Sequence, residues 1–422
     1  MLSRLRRRVP ATPGGGREVT PAARREIGLD WLNFFVANVQ TGFGPFIAVY
    51  LTEQEWTQVD IGVALSVGTF AAMASQVPAG VLVDAMPNKR FAALSAVVAI
   101  TVSALLFAVW PERLSVFIAE VAHGFASCML TPALAAISLV LVGRARLGNR
   151  LGRNARYASI GNGLAAAVMG ACGTYVSSRA VFLLTAALTI PGLLALRAIG
   201  PARAADAPDA IDRAVAQKRG ASDLRRLFTD WRLLVFAGVC LLFHMSNAGM
   251  LPLAGSIVTE QVGQGANLVI AACIVVPQAV VALLSPWVGR SADHWGRRPL
   301  LMLGFAALPV RGVLLAVTAN PWLLIVVQSL DGVSAAAFGV LLPLVAADLT
   351  RGTNRFNLCL GLLGVAIGAG ATISTTLAGT VSEQFGNPAA FLALAGSGML
   401  SVLLVLVAMP ETRPRLEPPP GA

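Results

Sequence analysis

The chain has 422 residues, of which 56% are hydrophobic and only 13% charged, a composition outside the range of soluble globular domains. Its 32 Lys and Arg outnumber 21 Asp and Glu, for a net charge of +11. That excess is scattered over short segments between apolar runs, where membrane topology accounts for it and no nucleic-acid partner is required. Cys128, Cys172, Cys240, Cys273 and Cys359 lie singly within apolar stretches, so neither a disulfide framework nor a thiolate metal site is implied.

The chain begins "MLSRLRRRVPATPGGGRE", with Pro and Gly where a signal peptide needs an apolar core; residues 1–26 are expected to be a cytoplasmic basic tail. Twelve apolar runs follow, at 28–51, 60–83, 89–110, 114–142, 155–177, 180–199, 232–258, 267–288, 299–319, 322–349, 355–381 and 388–409. Each is long enough to cross a ~30 Å hydrocarbon core as a helix, and none alternates with the period of a barrel strand. With both termini in the cytoplasm, 29 of the 32 Lys and Arg fall in the tails and inner loops, leaving Arg113, Arg179 and Arg311. The positive-inside rule selects that orientation. All seven tryptophans fall at or near expected span ends, where an indole prefers to sit.

Between the sixth and seventh runs the composition turns polar, "PARAADAPDAIDRAVAQKRGASDLRRLFTD", and the two sides of this linker repeat each other. Asn38 matches Asn247, Asp84 matches Asp293, Pro111 matches Pro321, Gly124 matches Gly332, and "GRNARYASIG" at 152–161 matches "GTNRFNLCLG" at 352–361. The expected organisation is a bundle at 27–200, a linker at 201–230, a second bundle at 231–410 and a tail at 411–422. Six spans duplicated in the same orientation return the chain to the same side. The fold class is therefore an all-α membrane protein with twelve transmembrane helices in two pseudo-symmetric six-helix bundles.

After the second run of each half comes a loop with a glycine, an acid and then bases: "GVLVDAMPNKR" (80–90) and "GRSADHWGRRP" (289–299). A carboxylate at a helix end can accept from backbone N–H groups and pair with bases, which would make this loop a latch between helix ends. With twelve spans and the repeat, these loops give nearly the whole chain its resemblance to the major facilitator superfamily, whose loop motif runs Gly-x-x-x-Asp-x-x-Gly-Arg-Arg/Lys. The second copy fits at Gly289, Asp293, Gly296, Arg297 and Arg298; the first keeps Gly80, Asp84, Lys89 and Arg90 but carries Pro87 and Asn88 near the second glycine. The resemblance implies that both loops steady the outward-open state. It also implies that spans 1, 4, 7 and 10 line a central cavity.

Within span 4, Glu120 and His123 lie three residues apart, so they share a helical face, roughly 10 and 15 Å below the outer end. Ionisable groups at that depth should face the bundle interior or a wet cavity. The repeat places Gln328 and Asp331 at the matching positions of span 10. Glu120, His123 and Asp331 are accordingly candidates for proton coupling, with His123 and Asp331 expected to meet when the cavity closes; the competing reading is helix-to-helix hydrogen bonding. Asn38, Gln40, His244, Asn247, Gln278 and Gln328 are candidate substrate contacts. Arg311 is expected to snorkel or to form a structural pair. Glycines in "GNGLAAAVMGACG" (161–173) and "GLLGVAIGAG" (361–370), including Gly364 and Gly368, suit close helix contact. The family's exporters carry a Gly-Pro in span 5, whereas here the proline is missing.

The expected function is proton-coupled transport, with export of a small organic compound favoured, by a monomer in the bacterial cytoplasmic membrane. Its partners are the substrate, protons and the lipid bilayer, with no cofactor and no bound metal. Alternatives are a transition-metal or metal-chelate transporter, since Glu120, His123, His244 and Asp331 are metal-ligand types, a proton-coupled uptake symporter, and a non-transporting membrane sensor. An enzyme is not expected, because no loop holds a nucleotide motif or a nucleophile with a base.

Overall fold

The computed structural model describes residues 20–43, 45–56, 58–202, 229–262, 266–318, 320–351 and 355–413. Most of the N-terminal tail, the linker from 203 to 228 and residues 414–422 lie outside the described residues. The first half comprises α1 (Pro21–Thr41), α2 (Pro45–Glu53), α3 (Gln58–Ala85), α4 (Lys89–Val109), α5 (Arg113–Val142), α6 (Leu147–Tyr175) and α7 (Ser178–Ile199). The second comprises α8 (Trp231–Asn247), α9 (Met250–Val262), α10 (Ala266–Trp295), α11 (Arg297–Phe305), α12 (Ala307–Val317), α13 (Pro321–Leu349), α14 (Phe356–Phe385) and α15 (Asn387–Ala408). Each of the twelve apolar runs is thus a helix or, for spans 1, 7 and 9, a pair of successive helices. By length and composition, ten spans of the described chain are apolar enough to cross a membrane. The two that fall short are α1–α2 and α6, which hold Asp30, Arg150 and Arg153.

The three broken spans have a common local cause. Proline has no N–H for the carbonyl four residues back. Pro45, Pro252 and Pro309 leave Thr41, Ala248 and Phe305 without that donor, at the ends of α1, α8 and α11. Glycine at Gly42 and Gly249 adds close approach: a Cβ at Gly42 would overlap the Thr185 hydroxyl, and one at Gly249 would lie 2.9 Å from the Ser374 carbonyl oxygen. Prolines inside α3, α5, α7, α10 and α13 leave those helices unbroken, so proline alone does not decide.

The two halves meet along α3 with α14 and α6 with α10. At the end of the bundle that carries the basic loops the contact is backbone to backbone: Gly80 on the Asn357 carbonyl, Gly361 on that of Gln76, Gly152 on that of Ser285 and Gly148 on that of Gly289. An apolar cluster crosses the boundary there, bringing Ala135, Leu139, Leu147 and Leu151 of the first half among Val288, Leu344 and Leu358 of the second. Toward the opposite end the contact loosens. A Cβ at Gly163 would find only Gln278, at 3.9 Å, and Gly170 and Gly379 have open space beside them. The bundle is closed at its basic end and parts toward the other.

Candidate functional site

At the basic end, Asp84 closes α3 and reaches across to the start of α14. Its Oδ1 accepts from the Asn357 backbone N–H at 3.1 Å and from Asn357 Nδ2 at 2.7 Å, and its Oδ2 accepts from the Leu358 N–H at 2.8 Å. A carboxylate on the unpaired N–H groups of a helix N-terminus is favoured by both hydrogen bonding and the helix dipole. Lys89 is buried at the same helix end, its Nζ donating to the carbonyls of Val83, Asp84 and Met86 at 2.8 to 3.0 Å. Arg90 is the second residue of α4, where its N–H is capped by Asn88.

The second copy is built differently. Asp293 lies 3.5 Å from Arg297, with its Oδ1 3.3 Å from where a Gly148 Cβ would stand, beside the start of α6. Arg297 is buried and spends its guanidinium on Asp348 at 2.9 Å and on the Ala292 carbonyl at 2.6 Å. Gly296 has φ +93, a left-handed conformation open to glycine at little cost. The Glu411 carboxylate caps α11 by accepting from the Arg297 and Arg298 N–H groups at 2.9 and 3.1 Å. Gly289 packs on Gly148 and Gly364 on the Gln76 side chain, whereas Gly368 meets only Met73, at 3.7 Å.

Deeper in the bundle, Glu120 on α5 is 4% exposed, and its Oε1 has no hydrogen-bond partner. Its carboxylate lies over Gly68 of α3, in space that any Cβ there would occupy. His123 stacks flat on Phe43, with ring centroids 3.9 Å apart and 11° between planes, and its Nε2 lies 3.1 Å from Ser127 Oγ. Phe43 sits in the α1–α2 break, so the imidazole rests on that break. In the second half, Asp331 pairs with Arg311 at 2.9 Å, and Arg311 also donates to Asn247, the last residue of α8. Of the two expectations for Arg311, the structure has the pair: the side chain is 1% exposed and does not snorkel. No hydrogen bond, ion pair or ring contact joins His123 to Asp331 among the described residues; each faces a break in its own half.

The remaining candidates are dispersed. Asn38 is buried and donates to the Phe34 carbonyl of its own helix, as His244 Nδ1 approaches the Cys240 carbonyl at 3.1 Å. Gln40 and Gln278 are partly exposed, the latter at the α6–α10 contact. Gln328 is buried, with both amide atoms unpartnered. Among the described residues no three of His, Cys, Asp and Glu come together as a metal site. An apolar groove of about 780 Å³ runs along Val63, Phe70 and Ala74 of α3 and past Val121 of α5, next in sequence to Glu120, which is not itself part of the lining.

One charged group escaped sequence reasoning. Asp30 of α1, 1% exposed, accepts from both Arg150 and Arg153 of α6. Arg150 continues through Asn154, at 2.8 Å, and Asn154 to Ser138 of α5, at 2.7 Å. These arginines had been assigned to a loop, but α6 starts at Leu147. The available signal was Asp30, a lone acid inside an apolar run.

Comparison with known proteins agrees with this architecture. The sequence model of the Major Facilitator Superfamily matches residues 29–283 and 239–422. An uncharacterised MFS-type transporter of Mycobacterium tuberculosis is 36% identical over 394 residues, covering 91% of this chain and 93% of that protein. The class B tetracycline resistance protein of Escherichia coli is 29% identical over 127 residues, 30% of each chain. Among solved structures, a human organic anion transporter superposes with a TM-score of 0.70 at 16% identity, over 92% of this chain and all of that one (100%). A proton:xylose symporter does so with a TM-score of 0.71 at 14% identity, over 93% and 96%; at such identities the likeness is one of fold. With both halves matched and a relative aligned over nearly its full length, the chain is a member of the Major Facilitator Superfamily, a multi-pass membrane transporter and not an enzyme.

Proposed function

We propose that this transporter couples proton movement to export of a small organic compound, working as a monomer in the bacterial cytoplasmic membrane with both termini inside. The observation that carries the reading is Glu120. An ionised carboxylate held away from water without a partner is costly, so a change of state that alters the water around Glu120 alters its hold on a proton, and proton occupancy is then linked to which state is populated. Asp331 has Arg311 as its counter-ion, which leaves Glu120 as the primary coupling group. His123 beside it and Asp331 in the other half are the secondary ones. Substrate contact is assigned to Gln40, His244, Asn247 and Gln278, with Asn38 and Gln328 buried behind them. Gating is assigned to Asp84 and Asp293 with their flanking glycines and bases. Export is supported by the partial likeness to a tetracycline resistance protein and by the glycine-rich α6 and α14.

The test is flux in proteoliposomes under an imposed pH gradient, read across a panel of organic compounds. Gradient-driven flux of at least one compound is expected for the unsubstituted chain, and Glu120→Gln should lose the gradient dependence while still binding that compound. Unchanged gradient dependence in Glu120→Gln would reassign the residue to structural hydrogen bonding.

A further inference from the structure

Arg311 lies inside span 9, away from the tails and inner loops that hold most of the basic residues, and the coupling reading uses it only as the counter-ion of Asp331. It stands on α12, with its side chain 1% exposed, so its charge is taken wholly out of water. Such a group persists only where fixed partners replace hydration. Here a single nitrogen, Nη1, serves two helices: it donates to Asn247 Oδ1 at the end of α8 and to Asp331 Oδ1 of α13. Asn247 is the residue directly before the Ala248–Gly249 break. On its other side the break is fixed by the Gly249 N–H, which donates to Ser374 Oγ of α14 at 2.8 Å. The α8–α9 junction is therefore held from two directions, once by a neutral hydrogen bond and once by a hydrogen bond from a cation that is itself anchored to α13 by an ion pair.

The two partners of the ion pair differ in access. Arg311 is sealed, whereas the Asp331 side chain is 23% exposed. A cationic or hydrogen-bonding group approaching from outside meets Asp331 first and competes with Arg311 for the same carboxylate. Among the described residues the other half has no such arrangement. The stretch matching Arg311 is Thr101–Ala104, uncharged, with Ser103 bonded back to the Ala99 carbonyl at 2.9 Å, and the α1–α2 break is packed by aromatic rings.

We propose that Arg311 is a positioning residue of the transport cycle: its buried guanidinium clasps the α8–α9 break through Asn247 and Asp331. The orientation of α9 is thereby tied to the state of Asp331, the charged partner in the clasp that outside groups can reach. This holds whichever residue carries the coupled proton, and it makes the second half the side on which occupancy of the carboxylate is converted into movement of a helix segment.

The test is hydrogen exchange by mass spectrometry on the full chain in lipid nanodiscs, comparing the segment 248–257 with its counterpart 42–51. Arg311→Met is expected to speed exchange at 248–257 at least tenfold and to leave 42–51 within about twofold. Asp331→Asn should accelerate the same segment, the double variant should exchange no faster than Arg311→Met alone, and Arg311→Lys should restore part of the protection. Unchanged exchange at 248–257 in both single variants would overturn the proposal. So would equal acceleration in both segments, which would mark Arg311 as a general packing element. If Arg311→Met is not recovered from the membrane, Asp331→Asn and Arg311→Lys decide by the same criteria.

Discussion

The breaks in spans 1 and 7 occupy matching places in the two halves, yet different forces hold them. At the first, Phe43 lies on His123 and packs edge-on with Phe107 and Phe182, with the Tyr50 ring tilted against Phe182 and its hydroxyl on the Phe107 carbonyl. At the second, a buried cation joins Asn247 to Asp331. Aromatic packing is short-ranged and indifferent to ionic conditions, whereas an ion pair in a poorly polarisable interior is strong only while both charges are present. A duplicated scaffold can thus keep its backbone geometry while one copy becomes a passive joint and the other a charge-dependent one. The basic end shows no such division. There both halves carry buried ion pairs, Asp30 with Arg150 and Arg153 in the first and Arg297 with Asp348 in the second, and the first half adds the carboxylate that crosses to the other.

The largest effect that sharpens this contrast is expected from Asp30→Ala. It leaves buried Arg150 with only a 4.0 Å approach to the Glu26 carboxylate, so a loss of about 3–5 kcal/mol is expected, read as a lowered unfolding midpoint in detergent. A variant within 1 °C of the unsubstituted chain would show that water already serves these arginines. Phe43→Ala comes next, at about 3 kcal/mol for the vacated ring volume, and the loss should be the same at low and high salt. A salt-dependent loss would mean that the first break also depends on charge.

A smaller effect separates the two latch copies. Asp84 accepts three hydrogen bonds from α14 across the boundary between halves, while Asp293 has only a 3.5 Å approach to Arg297. Asp84→Asn should weaken closure of the basic end by about 2 kcal/mol, a tenfold to hundredfold change in the ratio of states. Asp293→Asn should impair transport less. Cysteine accessibility at the basic end, with flux in parallel, ranks them, and a larger effect from Asp293→Asn would invert the assignment. The smallest effect belongs to Gly368. Its Cβ would make an ordinary contact with Met73, so Gly368→Ala should change flux by less than about twofold, while Gly361→Ala, set on the Gln76 backbone, should slow the cycle strongly. Equal slowing would place Gly368 at a tighter contact in another state of the cycle.

The sequence by itself determined the spans, the duplication and the latch loops. All three follow from local or periodic properties: hydrocarbon thickness sets a minimum apolar run, copies keep their spacing, and a Gly-Asp-base cluster at a helix end is recognisable wherever it stands. It also singled out Glu120, His123 and Asp331, because any ionisable residue deep in an apolar run is conspicuous. Tertiary structure alone decided who pairs with whom. Matching positions put His123 opposite Asp331 for a closed cavity; in this structure, which parts toward that end, each turns into its own half, where Phe43 offers the imidazole a flat apolar face and Arg311 offers Asp331 a charge. The arginines at 150 and 153 read as loop bases because nothing in a linear count reveals that α6 begins at Leu147 or that Asp30 lies beside it. Partner choice depends on which helices cross and at what height, a property of packing that one-dimensional spacing does not contain.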